Sequence, residues 1–252
     1  MSIWGKIVGG AAGFALGGPL GALLGGLAGH AVDRMRDSTE EALLAEKEGR
    51  APDGPEKSIA FTIGVIVLGA KMAKADGAVT RDEVSAFKEV FQVPPEEMRN
   101  VGRVFNQARR DARGFEPYAR QLGRMFRDNP RVLEELLDGL FHIARADGEV
   151  QEAELAYLAK VAELFGFPEA EWHRIRAANL GLAEDDPYMV LGVAADADEA
   201  TLRRVYRELV RETHPDRLVS QGLPEEFVEL ANEKLARINR AWTEVKRRRG
   251  MR

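Results

Sequence analysis

Residues 206–217, YRELVRETHPDR, combine the end of an amphipathic helix with the sequence His-Pro-Asp. Apolar side chains recur at helical spacing along one face, at Leu202, Val205, Tyr206, Leu209 and Val210. Arginines four residues apart occupy the other face, at Arg203, Arg207 and Arg211. Pro215 disfavours helical geometry at His214 and cannot continue the backbone hydrogen bonds. The pattern therefore predicts that the helix ends at His214 and that His214 and Asp216 lie in a loop.

Two further segments fit around this helix. Upstream, residues 186–193, DPYMVLGV, predict a first short helix, and Asp198 is placed to cap the second. Downstream, Pro224 can open a third helix. Its predicted packing stripe consists of Phe227, Ala231, Leu235, Ile238, Trp242 and Val245. The C-terminal part of the chain is thus predicted to contain three helices over residues 186–246.

With these flanking helices, the Tyr-Arg-x-Leu and His-Pro-Asp sequences resemble the J domain of DnaJ-type co-chaperones. The resemblance implies a helical hairpin that docks on a DnaK-type chaperone and stimulates its ATP hydrolysis. It also implies the docking residues, which are Arg203, Tyr206, Arg207, Arg211, His214, Pro215 and Asp216. Thr213 departs from the aromatic or basic residue that relatives often carry, so the docking surface is expected to differ slightly. Taken singly, His-Pro-Asp could be a plain turn and the arginines a solvated face.

The N-terminal tract has the length and composition of a membrane-spanning helix. Residues 7–28 carry no charge, and 22 residues at 1.5 Å each extend about 33 Å, enough for the hydrocarbon core. Glycines recur every four residues, at 9, 13, 17, 21, 25 and 29. This small-xxx-small spacing favours close helix packing and predicts a homodimer through the glycine ridge. The alternative is a flexible tail, since each glycine costs about 1 kcal/mol in an aqueous helix.

The residues around this tract, WGKI at 4–7 and GHAVD at 29–33, resemble the N-terminus of DjlA-like proteins. The resemblance implies a single-pass anchor in the bacterial inner membrane, with a C-terminal J domain facing the cytoplasm. Lys6 precedes the tract, and Arg34 and Arg36 follow it, so charge alone only leans toward this orientation.

The rest of the chain predicts an all-α fold. Residues 1–31 are assigned to the transmembrane helix, 32–57 to a linker, 58–180 to a helical bundle and 183–252 to the J-domain hairpin. Ile59–Ala70 is an apolar run of 12 residues, too short to span a bilayer and better suited to a buried helix. Further helices are predicted over Arg81–Phe91, Pro95–Arg109, Phe115–Phe126, Pro130–Ala146, Glu152–Phe165 and Pro168–Asn179. No strand pattern competes with them.

The helical bundle contains a repeat at an offset of 71 residues, in which AKADGAV at 73–79 is echoed by ARADGEV at 144–150. A glutamate follows each copy. If the copies are related by a pseudo-twofold axis, two aspartates and two glutamates could bind Mg²⁺ or Ca²⁺. These residues are Asp76, Glu83, Asp147 and Glu154. The alternative is helix capping, which a capping box at Thr80 explains for Glu83, whereas Gln151 leaves Glu154 unexplained. The repeat resembles the TerB domain, which implies an acidic site able to bind a metal ion.

Composition excludes several other functions. The chain has no cysteine, which excludes disulfides, thiol catalysis and a cysteine zinc site, and its net charge of −5 argues against nucleic-acid binding. No nucleophile pattern, phosphate loop or dinucleotide fingerprint is present, and His142 and His173 are lone histidines within helices. The sequence therefore predicts no enzyme and no required cofactor. The alternative to a co-chaperone is a metal-responsive TerB-type sensor or adaptor.

Overall fold

The structure is a computed structural model that describes residues 17–27, 54–75, 95, 98–110, 114–146, 148, 150–180 and 186–251. All regular secondary structure in these ranges is helical. The helices are α1 (Gly18–Leu27), α2 (Gly54–Ala75), α3 (Met98–Arg110), α4 (Glu116–Met125), α5 (Pro130–Ala144), α6 (Glu152–Phe165), α7 (Glu169–Asn179), α8 (Pro187–Leu191), α9 (Glu199–Thr213), α10 (Pro215–Ser220) and α11 (Val228–Arg249), with a 3₁₀ turn at Glu225–Phe227 before α11. The predicted all-α class is confirmed.

Most predicted helices occur with small shifts at their ends. The α6 helix has the predicted bounds, whereas α2 extends the predicted Ile59–Ala70 helix at both ends and begins inside the predicted linker. Pro55 accounts for the early start, because proline at the first helical positions has no amide hydrogen bond to lose. The predicted helix at Arg81–Phe91 lies outside the described residues.

Helix α2 is the centre of the middle domain. Every residue from Ile59 to Ala73 is buried, as expected for a helix that is hydrophobic on all sides. Helices α3, α4, α5 and α6 surround it. The Tyr157 hydroxyl of α6 donates a hydrogen bond of 2.8 Å to the Leu68 carbonyl oxygen, which pairs a buried polar group inside this core.

The described part of the glycine-rich tract packs on the middle domain. Gly17 and Gly18 have φ of 53° and 55°, so the described helix begins at Gly18. The Gln121 side chain accepts a hydrogen bond of 3.0 Å from the Leu20 amide and donates one of 3.1 Å to the Gly17 carbonyl oxygen. No described helix combines the length and apolar character that crossing a membrane requires. Half of the predicted span at residues 7–28 lies outside the described residues.

The C-terminal helices form the predicted helical hairpin. The short α8 and the paired α9 and α11 enclose a separate apolar core. Its buried residues are Tyr188, Val190, Leu191, Leu202, Leu209, Ile238, Ala241, Trp242 and Val245. The Tyr206 ring stacks on Trp242, with centroids 4.6 Å apart and planes 9° apart. This contact ties the basic helix α9 to α11.

Replacing Gly123 with alanine is expected to destabilise the middle domain by about 1 to 3 kcal/mol, because α4 and α6 approach too closely for a side chain. A Cβ at Gly123 would lie 2.7 Å from the Leu164 carbonyl oxygen and 3.2 Å from Phe165 Cα. Urea unfolding measures the effect. The matched control is Gly102→Ala in α3, where a Cβ would meet nothing within 4 Å, so up to about 1 kcal/mol of stabilisation is expected. Equal effects at both positions would contradict this account.

Candidate functional site

The His-Pro-Asp sequence forms the junction between α9 and α10. Helix α9 ends at Thr213, and His214 has extended backbone angles, φ −62° and ψ 127°. Its Nδ1 accepts a hydrogen bond of 3.3 Å from the Asp216 amide. The prediction that Asp216 lies in a loop is wrong, because Pro215 opens a six-residue helix, Pro215–Ser220, as proline at a first helical position favours. The side chains of His214 and Asp216 are 51% and 94% exposed, so both are accessible to a partner.

An open groove lies beside this junction. It encloses about 430 Å³ and is lined by Tyr206, Arg207, Val210, Arg211, His214, Asp216 and Arg217. Five of the predicted docking residues therefore meet in one place. Guanidinium groups around an apolar and aromatic floor favour contact with an acidic protein surface. Sequence reasoning missed Arg217, although its position directly after His-Pro-Asp was a usable signal.

Three other residues considered for docking lie outside the groove. Arg203 does not line the groove, and its guanidinium pairs with Glu199 of its own helix at 2.6 Å. Pro215 is buried rather than presented. Thr213 is 1% exposed and lines a small internal space with residues of the middle domain, so the expectation that it alters the docking surface is wrong.

The segment that follows His-Pro-Asp is seated in the core of the middle domain. The buried residues that it contributes to that core are Leu218, Leu223, Phe227 and Ala231. The Phe227 ring meets Phe61 edge to face, with centroids 4.7 Å apart. At Gly222, φ is 109°, and a Cβ there would lie 2.7 Å from Lys57 Cβ. The apolar stripe predicted for the third helix is therefore divided between two cores.

Buried charges join the two domains beside this segment. The Lys234 ammonium of α11 contacts Glu134 at 2.7 Å, Glu135 at 2.9 Å and Asp138 at 2.8 Å, all on α5. We call these four residues the Lys234 cluster. Arg174 of α7 contacts the second oxygen of Glu134 at 2.8 Å. Because these charges are shielded from water, their mutual pairing determines whether the domains can stay in contact.

Burial and neighbouring charges separate the pKa values of the two glutamates. The pKa of Glu135 is raised to about 7, mainly by burial; Lys234 opposes the rise, whereas Asp138 and Glu134 add to it. The Glu135 Oε2 atom has no hydrogen-bond partner among the described residues, which fits a carboxyl that takes up a proton readily. Burial acts in the same direction on Glu134, but Arg174, Lys234 and Arg131 outweigh it and hold the pKa well below the usual range.

The structure describes only one of the four proposed metal ligands, Glu154. Asp76, Glu83 and Asp147 lie outside the described ranges. Glu154 accepts a hydrogen bond of 2.9 Å from the Gln151 amide at the start of α6, so capping does explain this glutamate, contrary to the sequence interpretation. The described part of the chain contains no group of three histidine or acidic residues suited to a metal ion. The Mg²⁺ or Ca²⁺ site stays a prediction.

Three family profiles match successive parts of the chain. The N-terminal match, residues 1–48, is described as the co-chaperone DjlA transmembrane domain. Residues 62–177 match tellurite resistance protein TerB, and residues 186–248 match the DnaJ domain. The DnaJ match includes the segment with Leu218, Leu223, Phe227 and Ala231, which the structure seats in the core of the middle domain.

Curated relatives match the whole chain. The co-chaperone protein DjlA of Shewanella oneidensis is 34% identical over 272 residues and covers 100% of both chains. The protein of the same name from Photobacterium profundum is 30% identical over 276 residues, covering 98% of this chain and 99% of its own. That from Coxiella burnetii is 27% identical and covers 98% of each. No solved structure shows significant similarity to the chain.

Replacing Lys234 with methionine is expected to loosen the contact between the domains. The change leaves Glu134, Glu135 and Asp138 buried without their shared ammonium, at a cost of about 3 to 5 kcal/mol. Hydrogen exchange of residues 218–231 should accelerate. The control is Lys160→Met, which removes an exposed pair with Glu163 and should change stability by less than about 1 kcal/mol. Unchanged exchange in the Lys234 variant would show that the cluster does not hold the domains together.

The free energy of unfolding is expected to decrease as pH rises, because Glu135 loses its proton. Its folded-state pKa, about 7, exceeds the usual 4.5, so the folded chain binds a proton that the unfolded chain releases between these values. This contribution is complete below the lower value and is lost as pH rises through 7. Glu135→Gln should reduce the slope of the unfolding free energy against pH between about pH 5 and pH 8. Exposed Glu163→Gln is the control, and an unaltered slope in the Glu135 variant would refute the assignment.

Proposed function

Because the chain belongs to the DjlA co-chaperone family, we propose that it docks on a DnaK-type chaperone and stimulates its ATP hydrolysis at the cytoplasmic face of the inner membrane. The chain is a J-domain co-chaperone and a regulator rather than an enzyme. Its DjlA-type transmembrane domain provides membrane anchoring.

The groove beside His-Pro-Asp is the observation that supports this function. Arg207, Arg211 and Arg217 line it together with the exposed His214 and Asp216. Clustered guanidinium groups attract an acidic partner surface and speed its encounter. The same packing that positions α9 and α10 fixes the spacing between these cations and the His-Pro-Asp junction. A partner can therefore contact both at once.

The proposal includes the membrane location of the chain and the side on which its C-terminal domains lie. The match to a DjlA transmembrane domain supports attachment to a membrane, and the charge pattern around residues 7–28 leans toward cytoplasmic C-terminal domains. Self-association through the glycine ridge stays a prediction. In the structure Gly21 is buried against the chain's own middle domain, so a dimer through this glycine requires α1 to leave that position.

His214→Gln is expected to abolish stimulation of the chaperone's ATP hydrolysis. The imidazole of His214 accepts a hydrogen bond from the Asp216 amide and is half exposed at the junction. The measurement is the steady-state ATPase rate of a DnaK-type chaperone with increasing amounts of the full chain. The rate above the basal value should fall at least about tenfold. His173→Gln, on the exposed face of α7, is the matched control and should stimulate normally. Stimulation that survives in His214→Gln, or that the unchanged chain never produces, would refute the proposed function.

A further inference from the structure

The middle domain contains a second arginine-lined cleft. It encloses about 560 Å³ between α4, α5 and the end of α6. Apolar atoms form its floor, supplied by Leu133, Leu164, Phe165, Phe167 and Pro168. Arginines surround the floor, at positions 120, 124, 127 and 131. A cleft of this kind fits an apolar side chain flanked by carboxylates.

Two of the four arginines in this cleft are available to a partner. Arg120 and Arg127 are exposed, and the described residues place no carboxylate in an ion pair with either. Two carboxylates line the cleft, and each is already neutralised. Glu171 pairs with Arg174 at 2.9 Å, and Glu212 pairs with Arg131 at 3.1 Å. The cleft is therefore locally cationic on a chain whose net charge is −5.

The cleft and the groove of the J domain both reach the end of α9. Glu212, which lines the cleft, precedes Thr213 and follows Arg211, which lines the groove. On the other side, the Phe126 ring lies 3.2 Å from the Cβ position of Gly222, in the segment after His-Pro-Asp. Arg127 is the next residue along the chain. The two cationic surfaces are thus held on either side of the contact between the domains.

We propose that this middle-domain cleft extends the J-domain groove and binds an acidic segment of the same chaperone, with an apolar side chain of that segment on the cleft floor. The inference rests on the proposed function and adds a second site to it. A concave cleft lined by apolar residues, with the J-domain groove at the same end of α9, favours a protein segment over lipid headgroups, which need only an exposed charged surface.

The test is the concentration of the full chain that gives half-maximal stimulation of a DnaK-type ATPase. The chain is used in neutral phosphatidylcholine vesicles, and the variant carries Arg120→Glu with Arg127→Glu. The half-maximal concentration should rise about tenfold at low salt, because the reversed charges repel an acidic segment. The maximal rate should stay unchanged, since His-Pro-Asp is intact. The difference should shrink as salt screens exposed charges.

The matched control carries Arg103→Glu with Arg109→Glu, two exposed arginines of α3 that change the net charge equally. The control should keep the half-maximal concentration of the unchanged chain. An equal rise in both double variants would show an effect of net charge alone and would overturn the proposal. No rise in the Arg120 and Arg127 variant would overturn it as well.

Three further outcomes separate the remaining explanations. A rise that occurs only in vesicles containing phosphatidylglycerol would assign the arginines to lipid and overturn the proposal. If the unchanged chain stimulates, His214→Gln does not, and the double variant behaves as the unchanged chain, the proposed function stands and only the second site fails. If the unchanged chain gives no stimulation, both fail together.

Discussion

The burial of Lys234 is the constraint on which the arrangement of the two domains depends. A lysine ammonium removed from water needs opposite charge close by, and three carboxylates of α5 supply it within 3 Å. Since the lysine belongs to the J domain and the carboxylates to the middle domain, the charges are satisfied only when the domains are in contact. Separation would leave the carboxylates to be hydrated again and would expose the apolar residues seated beside them.

The contact between the domains also positions the His-Pro-Asp junction, because α10 and the start of α11 pack on the middle domain. Leu218 and Phe227 lie in the middle domain core on either side of a turn at Gly222, so the chain leaving the junction is fixed at both ends. The preceding helix α9 is held separately by Tyr206 and Trp242 within the J-domain core. The two exposed groups of the junction, His214 and Asp216, therefore take their positions from two different cores.

The buried and the exposed charges of this chain have different roles. The Lys234 cluster is buried, so it contributes specificity of domain contact and a dependence on pH. The arginines of the groove and three of the four in the cleft are exposed, so they contribute attraction that salt weakens. A chain with an overall negative charge can in this way present two adjacent cationic surfaces to one acidic partner. The net charge of −5 is a sum over the whole chain, so it does not reveal these local cationic surfaces.

The sequence by itself determined most of the described helices and the order of the domains, because these depend on local periodicity, on proline and on residues near each other in the chain. It also identified most of the apolar stripe of the third helix. Only the tertiary structure decided that Phe227 and Ala231 belong to the middle domain core, while Ile238 and Trp242 belong to the J-domain core. It likewise decided that Lys234 is buried and that Thr213 faces inward. These properties depend on which distant segment lies opposite each side chain, and periodicity along one helix carries no information about that neighbour.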